Sequence, residues 1–429
     1  MAKPCDATKS MKILIYSYNY HPEPIGIAPL MTELAEGLAA RGHEVRVLTG
    51  MPNYPERRIY EGYRGKAYMT EHRNGVRVDR CYVWIRPKPG LVTRMALDGS
   101  FVITSFARAL FGWRPDIILF TSPPLPVSVP AWLLGLFKRC PVVLNLQDIL
   151  PEAAVHTGLI SNKKAIKIFE TLENFSYARA THVSVIAEGF VDNLIGKKVP
   201  DSKISLIPNW VNTNFIHPMP KNNSFREEHG LQNNFVVMYS GNIALTQGLE
   251  TVVNAAALLK DRPDVAEIQG QHNIKFVIVG EEKALQKLRD YCRDRQVLDY
   301  VLLLPFQPRE RLPEMLAAAD VGLIVQKSNV VAFNMPSKTQ VLLASGRAII
   351  ASVPGTGTAA RAVRSSEGGL VVEPESPSAL LDAVLTLAGD RDRTETLGHH
   401  GRAYAEKTYS FESALNSYEA LFNRLCKGV

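Results

Sequence analysis

The feature that most constrains this chain is an alternation, carried through two successive series, of short apolar runs with longer stretches of helical periodicity. Parallel strands covered on both faces read as apolar runs, and each needs a crossover helix to return the chain, so the pattern predicts βαβ units and an α/β fold. In the first half the strand-like runs are Lys12–Tyr18, Glu44–Thr49, Ile117–Phe120, Val142–Asn145, His182–Ile186 and Ile204–Pro208, and Ala28–Arg41, closed by Gly42, has the spacing of an amphipathic helix. The second series is Phe235–Ser240, Lys275–Val279, Val301–Leu304, Val321–Val325, Ala348–Ser352 and Leu370–Val372. Between them, Asn212–His229 holds prolines, asparagines and charges with no sustained periodicity and reads as a linker. The expected division is therefore an N-terminal doubly wound domain over 11–211, a linker over 212–229, a C-terminal doubly wound domain over 230–408 and a terminal stretch over 409–429, with the two sheets facing each other. Thr394–Leu425 reads as two helices separated near Tyr409–Ser410.

A length of 429 residues exceeds one typical core, and 46% hydrophobic with 21% charged residues is an ordinary globular balance. Five scattered cysteines without a C-x-x-C pair argue against a disulfide framework or a zinc site and fit a reducing cytosol. Residues 1–10 are polar and carry no pattern of a cleavable signal, and Met11–Tyr16 reads as the start of the fold. Ile117–Phe137 is uncharged, but Pro123, Pro124, Pro126 and Pro130 break a spanning helix, so a strand, a proline loop and a core helix are expected. The net charge of +7 suits an anionic membrane surface or phosphorylated substrates. No signature of a nucleic-acid-binding module accompanies it. Leu91–Trp113, with Arg94 and Arg108 among apolar residues, fits either a membrane-surface helix or one packed on its sheet.

Open parallel sheets bind ligands where strands end and helices begin, because helix amino termini present unpaired N–H groups to anions. After the strand ending at Ser240 come Gly241-Asn242 and then Gln247-Gly248, where a sharp turn and a helix start invite a phosphate. After Val325 come Gln326-Lys327 and Pro336-Ser337-Lys338, with Pro336 fixing the entry, Ser337 an expected N-cap, and two lysines beside the helix start. Asp148 and Glu152 follow the strand ending at Asn145. Two carboxylates there suit acid/base or hydroxyl-binding work, or else Asp148 caps a helix and Glu152 is solvated. Gly26 lies in the loop after the first strand, where it allows close backbone approach or simply a turn, and His21 nearby reads as structural. No G-x-G-x-x-G follows the first strand, and there is no P-loop, H-E-x-x-H or G-x-S-x-G. The charged D-x-D, Asp390-Arg391-Asp392, falls in a connector, so no metal site is expected.

At these same places the chain resembles family-4 retaining glycosyltransferases, most closely the WcaI-like exopolysaccharide group, over about residues 11–425. The resemblance rests on Tyr20–Gly26, Glu33–Val45, Pro52–Tyr63, Gln147-Asp148, Ile207–Trp210, Tyr239–Ile243, Gln247–Glu250, Val325–Lys327, Pro336–Lys338 and Val372–Ser376. It implies a GT-B architecture, two Rossmann-like domains facing across a cleft with the last helix returning to the N-terminal domain. It also implies a bacterial, cytoplasmic hexosyltransferase, peripheral on the inner membrane face, without metal or other cofactor. Its expected partners are a GDP- or UDP-linked sugar donor and a glycan acceptor on a polyprenyl diphosphate. Carried over, Gly241, Asn242, Gln247 and Gly248 form the phosphate-facing turn, Pro305, Phe306 and Gln307 hold the base, and Gln326, Lys327, Pro336, Ser337 and Lys338 surround the diphosphate and sugar. Gly26 meets the donor from the N-terminal domain, and Asp148 is the candidate catalytic or positioning carboxylate. The broad family places Arg and Lys on the phosphate turn where this chain has Asn242 and Thr246-Gln247, and paired glutamates where it has Phe333 and Val341. WcaI-like members also lack that glutamate pair. Lys327 and Lys338 are expected to supply the missing positive charge. The rival readings are a nucleotide-sugar epimerase and a non-catalytic GT-B scaffold that partners another transferase.

Overall fold

The computed structural model describes residues 10–24, 26–87, 90–152, 162–243, 246–261, 273–331, 333 and 335–427. The chain forms two compact units, one of residues 1–209 with 414–429 and one of residues 210–413.

In the first unit, β1 (Lys12–Tyr16), β2 (Glu44–Gly50), β3 (Tyr68–Arg73), β4 (Val76–Cys81), β5 (Ile117–Ser122), β6 (Val142–Leu146), β7 (His182–Val185) and β8 (Ile204–Leu206) make one sheet in the order β3-β4-β2-β1-β5-β6-β7-β8. The helices α1 (Ala28–Ala40), α2 (Leu91–Leu110), α3 (Ser128–Lys138), α4 (Lys163–Arg179) and α5 (Glu188–Gly196) serve its crossovers. Every residue of β5 and β6 is buried, which is why those strands read as unbroken apolar runs. Residues 117–138 form a strand, a short 3₁₀ turn at Leu125–Val127 and α3, matching the strand, proline loop and helix expected there. Among the described residues no helix is long and apolar enough to cross a membrane.

Two strands of this sheet went unread. β3 and β4 pair antiparallel about Asn74-Gly75, both at positive φ, which is the backbone a two-residue hairpin requires. β3 is mostly polar and lies at the sheet edge, half-exposed along its length, while β4 only alternates the buried Val76, Val78 and Cys81 with charged residues, so no apolar run marked either strand. Asn-Gly was the available signal.

The second unit contains β9 (Asn234–Ser240), β10 (Asn273–Gly280), β11 (Val301–Pro305), β12 (Val321–Val325), β13 (Ala348–Ser352) and β14 (Gly369–Val372), all parallel. Its helices are α6 (Ser224–Glu228), α7 (Glu250–Lys260), α8 (Glu282–Asp294), α9 (Leu312–Ala317), α10 (Lys338–Ala344), α11 (Thr358–Ser365), α12 (Pro377–Gly389) and α13 (Arg391–Thr408). The final helix, α14 (Phe411–Lys427), packs in the first unit: the Tyr418 hydroxyl accepts from Asn145 Nδ2 at 2.7 Å, and Glu419 pairs with Arg41 and, at 2.9 Å, with His43.

The stretch read as a linker is structured. It holds α6, capped by the Asn223 side chain, with Phe225 and Arg226 both buried. The Arg226 guanidinium meets Asp320 Oδ2 at 2.5 Å, 94 residues away in sequence. Local polarity implied a solvated segment, but a buried carboxylate from a distant strand end makes the charge an internal one. The Asp390 of the D-x-D caps α13 by accepting from Arg393 N at 2.9 Å, while Arg391 reaches the same Asp320.

Candidate functional site

In the second unit the strand order is β11-β10-β9-β12-β13-β14. Numbered from β9 this is 3-2-1-4-5-6, whose order reverses between β9 and β12, and the carboxyl ends at such a reversal form the ligand crevice of a doubly wound sheet. The ladder between the two central strands covers only Val321↔Val237 and Gly322↔Met238, short of their carboxyl ends. The loops leaving those ends are the ones that carry Gly241–Leu249 and Gln326–Ser337.

The fold brings these two loops together. Gly241, at φ +143°, turns the chain where a Cβ would sit 3.1 Å from Lys338 Nζ, so the turn passes close against that ammonium. Lys338 Nζ lies 3.6 Å from the centroid of the Tyr239 ring, and the Tyr239 hydroxyl donates to Asn242 O at 2.7 Å, which fixes the turn. Nothing described hydrogen-bonds to that ammonium, although it is shut off from solvent. Burial pushes its pKa down to about 7. Gln247 Oε1 is likewise buried without a partner. Gly248, at φ +63°, faces the Lys327 stem, and Lys327 N donates to Thr246 O at 2.9 Å. A buried ammonium and a buried amide oxygen, neither with a hydrogen-bond partner, therefore lie on the segments that follow β9 and β12 at the reversal point.

Other candidates are placed differently. Gln326 is buried at the end of β12, its N–H bonded to Ser352 O. Ser337 occupies the N-cap position of α10 but makes no side-chain cap; its backbone is already helical, which points Oγ away from the free amides. Pro336 O accepts from Thr339 N at 2.9 Å and fixes the entry instead. Val341 packs against the core and Phe333 is buried. Pro305 ends β11 at the sheet edge, with Phe306 and Gln307 following; Phe306 is exposed and Gln307 Nε2 donates to Pro305 O at 3.0 Å. Sequence reasoning missed the role of Glu375, at φ +57°, which takes both the N–H and the hydroxyl of Ser328 and ties the loop after β12 to the loop after β14.

In the first unit the strand order reverses between β1 and β5, so the loop after β1 that contains Gly26 is the corresponding feature. Gly26 adopts φ +71°, with open space where a Cβ would sit. The loop is braced by Glu23, another residue sequence reasoning passed over: its buried carboxylate accepts from Asn19 Nδ2 (2.6 Å), Asn53 N (2.8 Å) and Tyr54 N (2.9 Å). Glu23→Ala strands these donors, and a loss of about 1–3 kcal/mol in chemical denaturation is the expected result. Asp148 is largely buried, which raises its pKa, and its Oδ1 accepts from Ile149 N at 2.9 Å. Glu152 is not simply solvated: it pairs with Lys197 at 2.7 Å and accepts from Asn193. The two carboxylates therefore serve separate surroundings. Next to Asp148, Gln147 exchanges hydrogen bonds with Asn209 and donates to Asn145.

Residues 26–210 match the family of glycosyl transferase 4-like domains and residues 221–404 match glycosyl transferases group 1. Over 419 residues the chain is 31% identical to the putative colanic acid biosynthesis glycosyl transferase WcaI of Escherichia coli K12, spanning 95% of this chain and 98% of that protein. The chain is a family-4 glycosyltransferase of the WcaI-like group. The probable glycosyltransferase WbjE of Pseudomonas aeruginosa is 25% identical over 75% of the transferase and 76% of its own length. Among solved structures, the sucrose-phosphate synthase of Thermosynechococcus elongatus superposes with a TM-score of 0.71 at 18% identity, covering 97% of this chain and 100% of that one. Anabaena Alr3699/HepE in complex with UDP gives a TM-score of 0.70 at 17% identity, with the same coverage. These likenesses establish that the transferase has the GT-B fold.

Proposed function

We propose that the enzyme transfers a hexose or deoxyhexose, with retention, from a nucleoside-diphosphate sugar to a hydroxyl of a lipid-linked glycan during bacterial exopolysaccharide biosynthesis. The observation that carries the donor half is the unpartnered, buried Lys338 ammonium beside the Gly241 turn. A diphosphate there gives the ammonium an anionic partner and the turn's amides an acceptor, and both interactions strengthen as charge develops on the departing diphosphate. Gln247 offers a buried acceptor for a donor hydroxyl, and Lys327 adds a second cation. The reading is supported by HepE, which was crystallised with UDP and with UDP-glucose, and by a mycobacterial relative described as a GDP-mannose-dependent mannosyltransferase. The WcaI relative's colanic acid role supports the exopolysaccharide part.

Retention without a protein nucleophile fits front-face attack, in which the leaving phosphate takes the acceptor's proton. Asp148 then orients a hydroxyl and is not an obligatory base. A lipid-linked acceptor places the enzyme at the inner membrane face, which the net charge of +7 favours. No step in this scheme calls for a metal.

Calorimetric titration with UDP, GDP and their sugars tests this directly. Micromolar binding of one nucleotide with slow hydrolysis of its sugar is expected. Absence of binding by every nucleotide refutes the donor reading and favours a scaffold.

A further inference from the structure

The loops that leave β12, β13 and β14 are stitched together just past the ends of their strands. Val325, Ser352 and Val372 are level in the parallel ladder, so Gln326, Val353 and Glu373 leave the sheet side by side. Gln326 N donates to Ser352 O at 2.9 Å, and Ser352 Oγ donates to Glu373 O at 3.2 Å. Two residues further on, Glu375 reaches across the end of β13. Its Oε2 takes the Ser328 N–H at 2.9 Å and the Ser328 hydroxyl at 2.5 Å.

Lys327 is thereby held between two loops. Its own N–H donates to Thr246 O, on the loop after β9, while the next N–H along the chain goes to Glu375, on the loop after β14. Its stem lies on Gly248, where a Cβ would meet Lys327 Cγ at 3.1 Å. Val330 N donates to Lys327 O at 3.2 Å and closes the turn that Lys327 begins. The Ser328 donors, and beyond them the Lys327 ammonium, hold the Glu375 carboxyl below its usual range, so the clamp is charged at neutral pH.

The backbone at Glu375 is the unusual feature. Its φ of +57° is a region that a side chain enters at a cost and a glycine enters freely. Among the other described non-glycine residues there, Arg139, Lys198, Gln296 and Glu367 finish helices, Asn74 turns a hairpin and Arg57 sits in a turn. Glu375 ends no helix. It follows β14 and comes directly before Ser376, whose side chain caps α12. A glycine would make the same turn without strain, but it would leave Ser328 unclamped. The two bonds to Ser328 lie in solvent and add little to stability, so they do not explain the strain as a gain in folding. Strain kept for the sake of a side chain that fixes a loop beside a ligand crevice belongs to the working of that crevice.

We infer that Glu375 is a positioning residue for glycosyl transfer, holding Lys327 through Ser328 in the place where it meets the donor's diphosphate. This role rests on the donor reading proposed above and gives Glu375 no contact with the donor itself.

The test is a double-mutant cycle between Glu375→Gly and Lys327→Met, read by calorimetric titration with UDP and with GDP. Glu375→Gly should leave the melting temperature of the free enzyme unchanged or raise it, because the strain leaves with the carboxylate. It should nevertheless weaken binding of the preferred nucleotide by about three- to tenfold. In a Lys327→Met background the same change should have no further effect, since it acts through that lysine. Glu375→Gln, which keeps an acceptor for Ser328, should retain most of the affinity. Hydrogen exchange without nucleotide reads the clamp itself: the Ser328 amide should exchange faster in Glu375→Gly. Losses that add in the cycle, undiminished affinity in Glu375→Gly, or unchanged exchange at Ser328 each overturn this role and leave the donor reading standing. An unaltered enzyme that binds neither UDP nor GDP overturns the donor reading, and this role falls with it.

Discussion

Lys338→Met is expected to weaken nucleoside-diphosphate binding by about 10- to 100-fold while leaving the unliganded enzyme at least as stable as before. Charge-assisted hydrogen bonds to a phosphate contribute about 1.5–3 kcal/mol, and each 1.4 kcal/mol is tenfold in affinity. The free protein loses nothing comparable, because the ammonium has no hydrogen-bond partner among the described residues and burial disfavours its charged form. Methionine keeps the contact with the Tyr239 ring and removes only the charge. A merely structural lysine would behave in the opposite way, losing stability with no particular effect on ligand.

The same residue sets a pH signature. Burial lowers the Lys338 pKa from 10.5 to about 7, so the unfolded chain binds more protons than the folded one between those values. The penalty of burying the ammonium is therefore full below about pH 7 and fades as pH rises towards 10.5, so this group makes the free enzyme more stable at the alkaline end. Binding runs the other way. A diphosphate favours the charged lysine, so above pH 7 the complex takes up a proton and affinity falls with rising pH; below pH 7 this group contributes no dependence. Calorimetry in buffers of different ionisation enthalpy measures that uptake, and Lys338→Met should abolish it. Proton uptake that persists in the variant would falsify the assignment.

Asp320→Ala should lower the stability of the second unit by about 3–5 kcal/mol, the cost of leaving a buried charge without its partner. The carboxylate is 1% exposed and meets Arg226 Nη2 at 2.5 Å, Arg391 at 3.2 Å and Lys221 at 3.4 Å, and it also accepts from Val236 N at 2.8 Å. Its loss strands Arg226, itself 3% exposed, whose Nε bonds Ala318 O. For a unit of this size the midpoint should fall by roughly 10 °C in scanning calorimetry. The pair matters through its mutual dependence, so Arg226→Met combined with Asp320→Leu should cost less than the two single changes added together. Strict additivity would show that the two side chains act independently.

The strands and helices that build both sheets were legible because their burial writes an apolar period into the chain. β12 and β13 have the bounds their apolar runs indicated, and the break between the last two helices falls at Tyr409–Ser410. The hairpin of β3 and β4 was not legible as an apolar run, since the edge strand β3 is mostly polar and half-exposed and β4 buries only alternate residues. The segment around Arg226 was misread for a related reason: a charge looks the same in sequence whether water or a distant carboxylate surrounds it.

The sequence alone determined the α/β class, the glycine turns after the strands and the family, because hydrophobic period and positive-φ positions are local properties. Only the tertiary structure decided which loops meet. It set β9 beside β12, brought Lys338 over Tyr239 and against Gly241, and left that ammonium buried and unmatched while Arg226 was buried and matched. Desolvation and partner distance govern what a charged side chain does, and both depend on residues far away along the chain, which no local pattern records.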